Sequence, residues 1–100
     1  MLEVKSPWNL KTLEKVPQNN DSQIESILEK ANAVSKSKSL DFPPNERIKI
    51  LKKFSQIIDK NLTELASIAS SEGGKPITDS LIEIKRGIDG VECCIEVLKN

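Results

Sequence analysis

The sequence predicts a mainly α-helical fold in which an N-terminal β-hairpin precedes three to four helices. Three features of the sequence support this prediction. Residues 2–17 carry two short apolar runs around a turn sequence, residues 22–100 repeat apolar side chains at spacings of three and four, and glycines and prolines separate the helical stretches. A chain of 100 residues is long enough for one small unit, so we expect a hairpin arm at 2–17 joined to a helical bundle at 22–100.

The hairpin is predicted from alternation and turn chemistry. Leu2 and Val4 alternate with charged residues, and a second apolar run lies at residues 13–16. Between them, Pro7 fixes its own φ and Asn9 tolerates a left-handed conformation. We therefore expect two antiparallel strands closed by the sequence Ser-Pro-Trp-Asn.

The first helix is predicted to begin with a capping box. Ser22 lies three residues before Glu25, the spacing at which the two side chains cap the helix reciprocally, and Asp21 is a competing cap. We expect this helix to fade at the serine- and lysine-rich residues 35–39. Its apolar positions are Ile24, Ile27, Leu28, Ala31 and Val34.

A long apolar stripe predicts the next helical stretch. Pro44 suits its first turn, and the pair Gly73–Gly74 ends it. Since Asn61 and Glu64 offer another capping box, we expect a kink or restart at residues 59–61. The stripe consists of Ile48, Leu51, Phe54, Ile58, Leu62, Leu65 and Ala69, flanked by Ile50 and Ile57.

The last helix opens at Pro76 and carries a seam that we expect to be buried. The seam consists of Leu81, Ile84, Ile88, Val91, Ile95 and Leu98. Gly87 and Gly90 lie inside this helix, where each costs roughly 1 kcal/mol relative to Ala. We therefore expect a neighbouring element close to the backbone there. The pattern still continues at Asn100, so we expect the sequence to be part of a longer one.

The composition narrows the range of functions. Lys and Arg number 15, as do Asp and Glu, and this balance argues against nucleic-acid or anionic-membrane partners. There is no histidine, which removes the commonest general base and metal ligand. Adjacent Cys93 and Cys94 can neither join distant segments nor complete a zinc site, and they fit a reducing cytoplasm.

Two stretches, Ser70–Ser80 and Cys93–Cys94, could be interpreted as binding or catalytic sites, but the residues of each favour a structural role. A phosphate loop at Ser70–Ser80 would need glycine where Ala69 stands and a hydroxyl residue where Pro76 follows Lys75. A turn between two helices explains the same residues. Cys94 falls on the seam of the last helix, so we expect it to be a buried, unreactive thiol.

Taken in order, the motifs resemble the N-terminal region of the NAD(P)-dependent aldehyde dehydrogenase family. The resemblance begins with a Ser-Pro-aromatic hairpin and continues through a capped helix, a Pro-x-x-Arg-x-x-Ile-Leu helix, a Glu-x-Gly-Lys-Pro turn and a final Arg-x-Ile-Asp helix. It covers essentially the whole chain. The matching positions are Pro44, Arg47, Ile50, Leu51, Glu72, Gly74, Lys75, Pro76, Glu83, Ile84, Arg86, Ile88 and Asp89.

The resemblance implies an inactive scaffold fragment of a larger enzyme. The family's NAD or NADP site, catalytic cysteine, general-base glutamate and oxyanion-stabilising asparagine all follow the matched region. It therefore implies no catalytic, cofactor-binding or metal-binding residue in this chain. Asn9 sits in a Pro-Trp-Asn sequence that mimics the asparagine motif but occurs in the hairpin, and neither Cys93 nor Cys94 corresponds to the nucleophile.

Two alternatives remain beside the fragment. One is a self-contained helical interaction module, and the other is a small free-standing enzyme, which lacks histidine, a metal site and a phosphate loop. The apolar stripes and the free edges of the hairpin also predict self-association, with a homodimer as the expected form.

Overall fold

The computed structural model describes residues 1–37 and 42–100 and places a two-stranded hairpin before four helices. The strands are β1, Leu2–Lys5, and β2, Thr12–Val16. The helices are α1, Asp21–Lys36; α2, Pro44–Lys60; α3, Leu62–Gly73; and α4, Ile77–Lys99. The predicted class, mainly α with an N-terminal hairpin, is confirmed.

The hairpin is antiparallel and carries one irregularity. Leu2 pairs with Val16, but the register shifts after Val4, so that β2 has one residue more than β1 at this point. The left-handed residue of the tip is Leu10, with φ of 60°, and not Asn9 as predicted. Instead, the Oδ1 atom of Asn9 accepts a hydrogen bond from the Lys11 N–H at 3.0 Å. The Asn9 side chain thus forms a local turn with Lys11, and Leu10 between them takes the left-handed conformation.

Helix α1 begins earlier than its predicted cap. Asn20 is the N-cap, its side chain accepting from the Gln23 N–H while the Gln23 side chain accepts from the Asn20 N–H, both at 2.8 Å. The prediction of Ser22 with Glu25, or of Asp21, as the cap is therefore wrong. Asp21 is the first helical residue, where its charge complements the helix dipole. Of the predicted exit at 35–39, residues 38–39 lie outside the described residues.

Helices α2 and α3 meet at a break at Asn61, which confirms the predicted restart. Pro44 occupies the first turn of α2 as expected. The second capping box is wrong, because the Asn61 side chain turns back and donates from Nδ2 to the Ile57 carbonyl at 2.8 Å. The Asn61 side chain thus caps the end of α2, whereas its carbonyl accepts from the Leu65 N–H at 2.9 Å and begins α3.

Helix α4 packs against both α2 and α3. Its predicted seam faces this contact, since Ile95 is buried and the other seam residues are half-buried. One small residue is buried on each of the three helices: Ser55 on α2, Ala66 on α3 and Ser80 on α4. The expectation of a neighbour over the glycines is wrong, because a Cβ on Gly87 or Gly90 would have no atom within 4 Å. The two glycines point away from the side of α4 that α2 and α3 cover.

The packed helices form a thin layer. The chain measures 49 × 38 × 16 Å, and its radius of gyration is 18.0 Å. A compact domain of this length would have a radius of gyration of about 13 Å, and one helix with its side chains is about 10–12 Å across. Two broad faces of the layer are consequently open. In α1 no residue is buried.

Candidate functional site

The turn at Ser70–Ser80 is the strongest candidate site in the sequence, and the structure builds it as a helix connector. Helix α3 ends at Gly73, and Gly74 follows in the left-handed conformation with φ of 71°. The Gly74 N–H donates to the Ser70 carbonyl at 2.9 Å, and the Ser70 hydroxyl donates to the Lys75 carbonyl at 2.5 Å. The Gly74 N–H is thereby used within the turn, whereas a phosphate loop would direct its backbone N–H groups at the ligand.

Lys75 is the one cation of this turn, and it is engaged within the chain. Its Nζ donates to Glu83 Oε1 at 2.5 Å, and both side chains are about half exposed. A shallow pocket beside the pair is lined by Lys75, Asp79, Ile82, Glu83 and Arg86. Since two positive and two negative side chains line it, the pocket does not favour one sign of ligand.

The tip of the hairpin rests on this turn. A Cβ added to Gly74 would lie 2.8 Å from Cγ of Pro7 and 3.6 Å from Nε1 of Trp8. Contacts below 3.0 Å are not made by real Cβ atoms, so the close approach depends on glycine. The turn therefore supports the hairpin as well as joining two helices.

The two cysteines lie on the surface. Cys93 and Cys94 are both exposed free thiols, so the prediction that Cys94 is buried is wrong. Only one side of α4 is covered by α2 and α3, and the covered strip is too narrow to reach Cys94. The exposed thiols border an apolar surface formed with Val97 and Leu98.

The residues named in the sequence analysis do not converge on one centre. Asn9 closes the hairpin tip, Lys75 pairs with Glu83, and the cysteines lie near the end of α4. Within residues 1–37 and 42–100, no three His, Cys, Asp or Glu side chains are grouped so that they could hold a metal ion. No helix in the described part of the chain is both long and apolar enough to cross a membrane.

One surface was missed by the sequence interpretation. Phe54, Ile57, Leu65 and Ile68 line an open apolar groove on α2 and α3, which we call the outer groove. Their exposed fractions are 50%, 49%, 38% and 47%. Ile57, which flanks the main stripe that contains Phe54 and Leu65, was the available indication of a wider apolar surface, but these residues were assigned to the stripe and its flank.

Comparison with known proteins gives a consistent result across the chain. The family profile described as the aldehyde dehydrogenase family matches residues 1–100. Malonate-semialdehyde dehydrogenase 1 of Bacillus thuringiensis (strain Al Hakam) and malonate-semialdehyde dehydrogenase of Bacillus cereus (strain B4264) are each 36% identical over 89 residues. That match covers 89% of this chain and 18% of each relative, so the chain spans less than a fifth of their length.

A solved structure shares the fold. Glyceraldehyde-3-phosphate dehydrogenase GapN from Methanocaldococcus jannaschii DSM 2661, complexed with NADP, matches with a TM-score of 0.89 and 25% identity. The match covers 100% of this chain and 22% of that chain. The hairpin and the four helices thus occur together as one region of a much longer dehydrogenase.

Proposed function

The chain belongs to the aldehyde dehydrogenase family, and we propose that it is a structural segment of an NAD(P)-dependent enzyme that oxidises aldehydes to carboxylic acids. In this proposal the chain contributes packing surface and no reacting group. The attacking cysteine thiolate, the base for thioester hydrolysis and the dinucleotide site belong to other parts of the enzyme.

The thin, open packing of the chain is the observation that supports a scaffold role. Among the described residues, Ala66 and Ile95 are the only buried hydrophobic side chains, whereas large apolar residues on every helix are half exposed. Burying such a side chain stabilises a fold by about 1.5–3 kcal/mol. A segment with this much uncovered surface fits a role in which other parts of an enzyme cover it.

The relatives support the class of reaction and not the choice of aldehyde. Two act, by their names, on malonate semialdehyde, and the structural neighbour acts on glyceraldehyde 3-phosphate and holds NADP. All three are named as dehydrogenases of an aldehyde, and the complex of the structural neighbour supports a nicotinamide cofactor for the proposed enzyme. We propose a cytoplasmic location as well, because both cysteines are free thiols.

Activity and complementation test this proposal. The purified chain, incubated with NAD+ or NADP+ and a panel of aldehydes, should produce no NAD(P)H above a Cys93→Ser/Cys94→Ser control. A malonate-semialdehyde dehydrogenase that lacks the 89 matched residues should regain activity when this chain is added. Turnover that disappears in the double serine variant, or a truncated relative that the chain never rescues, would contradict the scaffold role.

A further inference from the structure

The outer groove is an apolar surface with a basic edge. Lys53 lies three residues after Ile50 and four before Ile57, and Lys60 lies three residues after Ile57. Residues at these spacings are neighbours on a helix surface, so both ammonium groups flank the groove. Neither lysine forms an ion pair with another residue of the described chain. The groove therefore suits an amphipathic helix whose apolar face has an acidic edge.

Helix α1 has the complementary pattern. Its apolar face is exposed, with exposed fractions of 44% for Ile24, 52% for Ile27 and 57% for Leu28. Glu25 lies three residues before Leu28, and Glu29 continues the same acidic row one turn later. The apolar face of α1 thus has the acidic edge that the groove lacks.

The second edges of the two surfaces also match in charge. Glu64 lines the outer groove together with the apolar residues. On α1, Lys30 lies three residues after Ile27 and four before Val34, on the side of the apolar face away from Glu25. A helix seated in the groove in one orientation can therefore oppose unlike charges along both of its edges.

We propose that α1 of one copy of this chain occupies the outer groove of a second copy, and that the exchange is reciprocal in a two-fold dimer. The chain's own α1 does not fill its groove, because no residue of α1 is buried and the groove side chains are about half exposed. A helix of 16 residues is marginal in water without packing, so α1 gains most from such a partner. The seam of α4, including Ile88, is covered within the chain and is not the interface.

A charge exchange tests this pairing directly. The wild-type chain should sediment at twice its 11.1 kDa mass at tens of micromolar. A Lys53→Glu/Lys60→Glu variant places an acidic groove against an acidic α1, and a Glu25→Lys/Glu29→Lys variant places a basic α1 against a basic groove. Each variant alone should dimerise about tenfold more weakly or worse, because like charges face each other across the interface. An equimolar mixture should recover a heterodimer, in which both contacts again oppose unlike charges.

Matched controls separate the pairing from general effects of charge. Lys11→Glu/Lys85→Glu, on the hairpin and α4, makes the same change in net charge as Lys53→Glu/Lys60→Glu, and it should leave the dimer intact. Circular dichroism should show that the control keeps the wild-type helix content and that the two charge variants lose no more helix than the 16 residues of α1, since every substitution is at an exposed position. A monomeric wild type, dimers that persist in both charge variants, or a mixture that stays monomeric would each overturn the proposal.

Discussion

Pro7 lies against Gly74 so closely that a Cβ on Gly74 would approach the Pro7 Cγ to 2.8 Å. This contact joins the tip of the hairpin to the turn between α3 and α4. Pro7 and Gly74 are 67 residues apart in the sequence, the difference between positions 7 and 74. It gives the Gly-Lys-Pro turn a structural purpose that needs no ligand.

Replacing Gly74 with Ala should destabilise the chain by about 1–3 kcal/mol, because the left-handed backbone is strained for Ala and the new methyl group meets Pro7. Gly73 is the matched control, since a Cβ there has no atom within 4 Å. Gly73→Ala should be neutral or stabilising by about 0.5–1 kcal/mol. Urea denaturation of both variants decides between them, and equal losses of stability would contradict the contact.

The strain at the hairpin tip should be removable. Leu10 takes φ of 60° while its side chain remains 72% exposed, so the residue contributes little burial in return. Leu10→Asn should stabilise the chain by about 0.5–1 kcal/mol, because Asn tolerates the left-handed region. Leu10→Val should destabilise it, since a β-branched residue fits that region less well. Thermal denaturation in which Val is as stable as Asn would argue against strain at this position.

The buried hydroxyl of Ser80 should be dispensable. It is fully buried and, among the residues described, its Oγ has no hydrogen-bond partner. Ser80→Ala should stabilise the packing of α4 by about 1 kcal/mol by removing an unsatisfied polar group. Ser80→Val should destabilise it by about 1–3 kcal/mol, because a larger side chain must overpack a position that is already fully buried. A loss of stability in the Ala variant would mean that the hydroxyl is hydrogen-bonded in solution.

The start of α1 should depend on Asn20. Asn20→Ala removes the Oδ1 acceptor of the Gln23 N–H and leaves only the reciprocal bond from the backbone N–H of residue 20. The change should lower helix stability by about 1 kcal/mol, visible as lost ellipticity at 222 nm. Ser22→Ala is the control, and its effect should stay within about 0.5 kcal/mol. A larger loss of helix in Ser22→Ala than in Asn20→Ala would contradict the Asn20 cap and support Ser22, the cap predicted from the sequence.

Much of the fold follows from local chemistry that a single sequence records. Pro44 at a helix start, Gly74 at a helix end and the interruption at Asn61 are decided by backbone preferences, and each was predictable. The choice between Asn20 and Ser22 was not, because both can cap a helix and both have a suitable partner three residues later. Which pair forms depends on where the chain leaves the hairpin.

The candidate surfaces were harder to predict than the elements. The spacing of the seam predicted that Cys94 is buried, but Cys94 is exposed. The width of the buried strip on a helix depends on how many helices cover it, and α4 is covered on one side only by α2 and α3. The same reason explains why Gly87 faces open space. Periodicity identifies an apolar face and does not reveal its partner, so the outer groove was counted as core.

The single layer of helices also determines how the chain responds to heat and denaturant. Much of the apolar surface is already exposed to water in the folded chain, so unfolding exposes little more of it. The heat-capacity increment and the urea m-value should therefore both be small for a chain of 100 residues. A small m-value broadens the transition, and α1 can lose its helix while α4 keeps its packing. The isolated chain should therefore melt gradually, one segment after another, where a closed globule of the same length would melt at once.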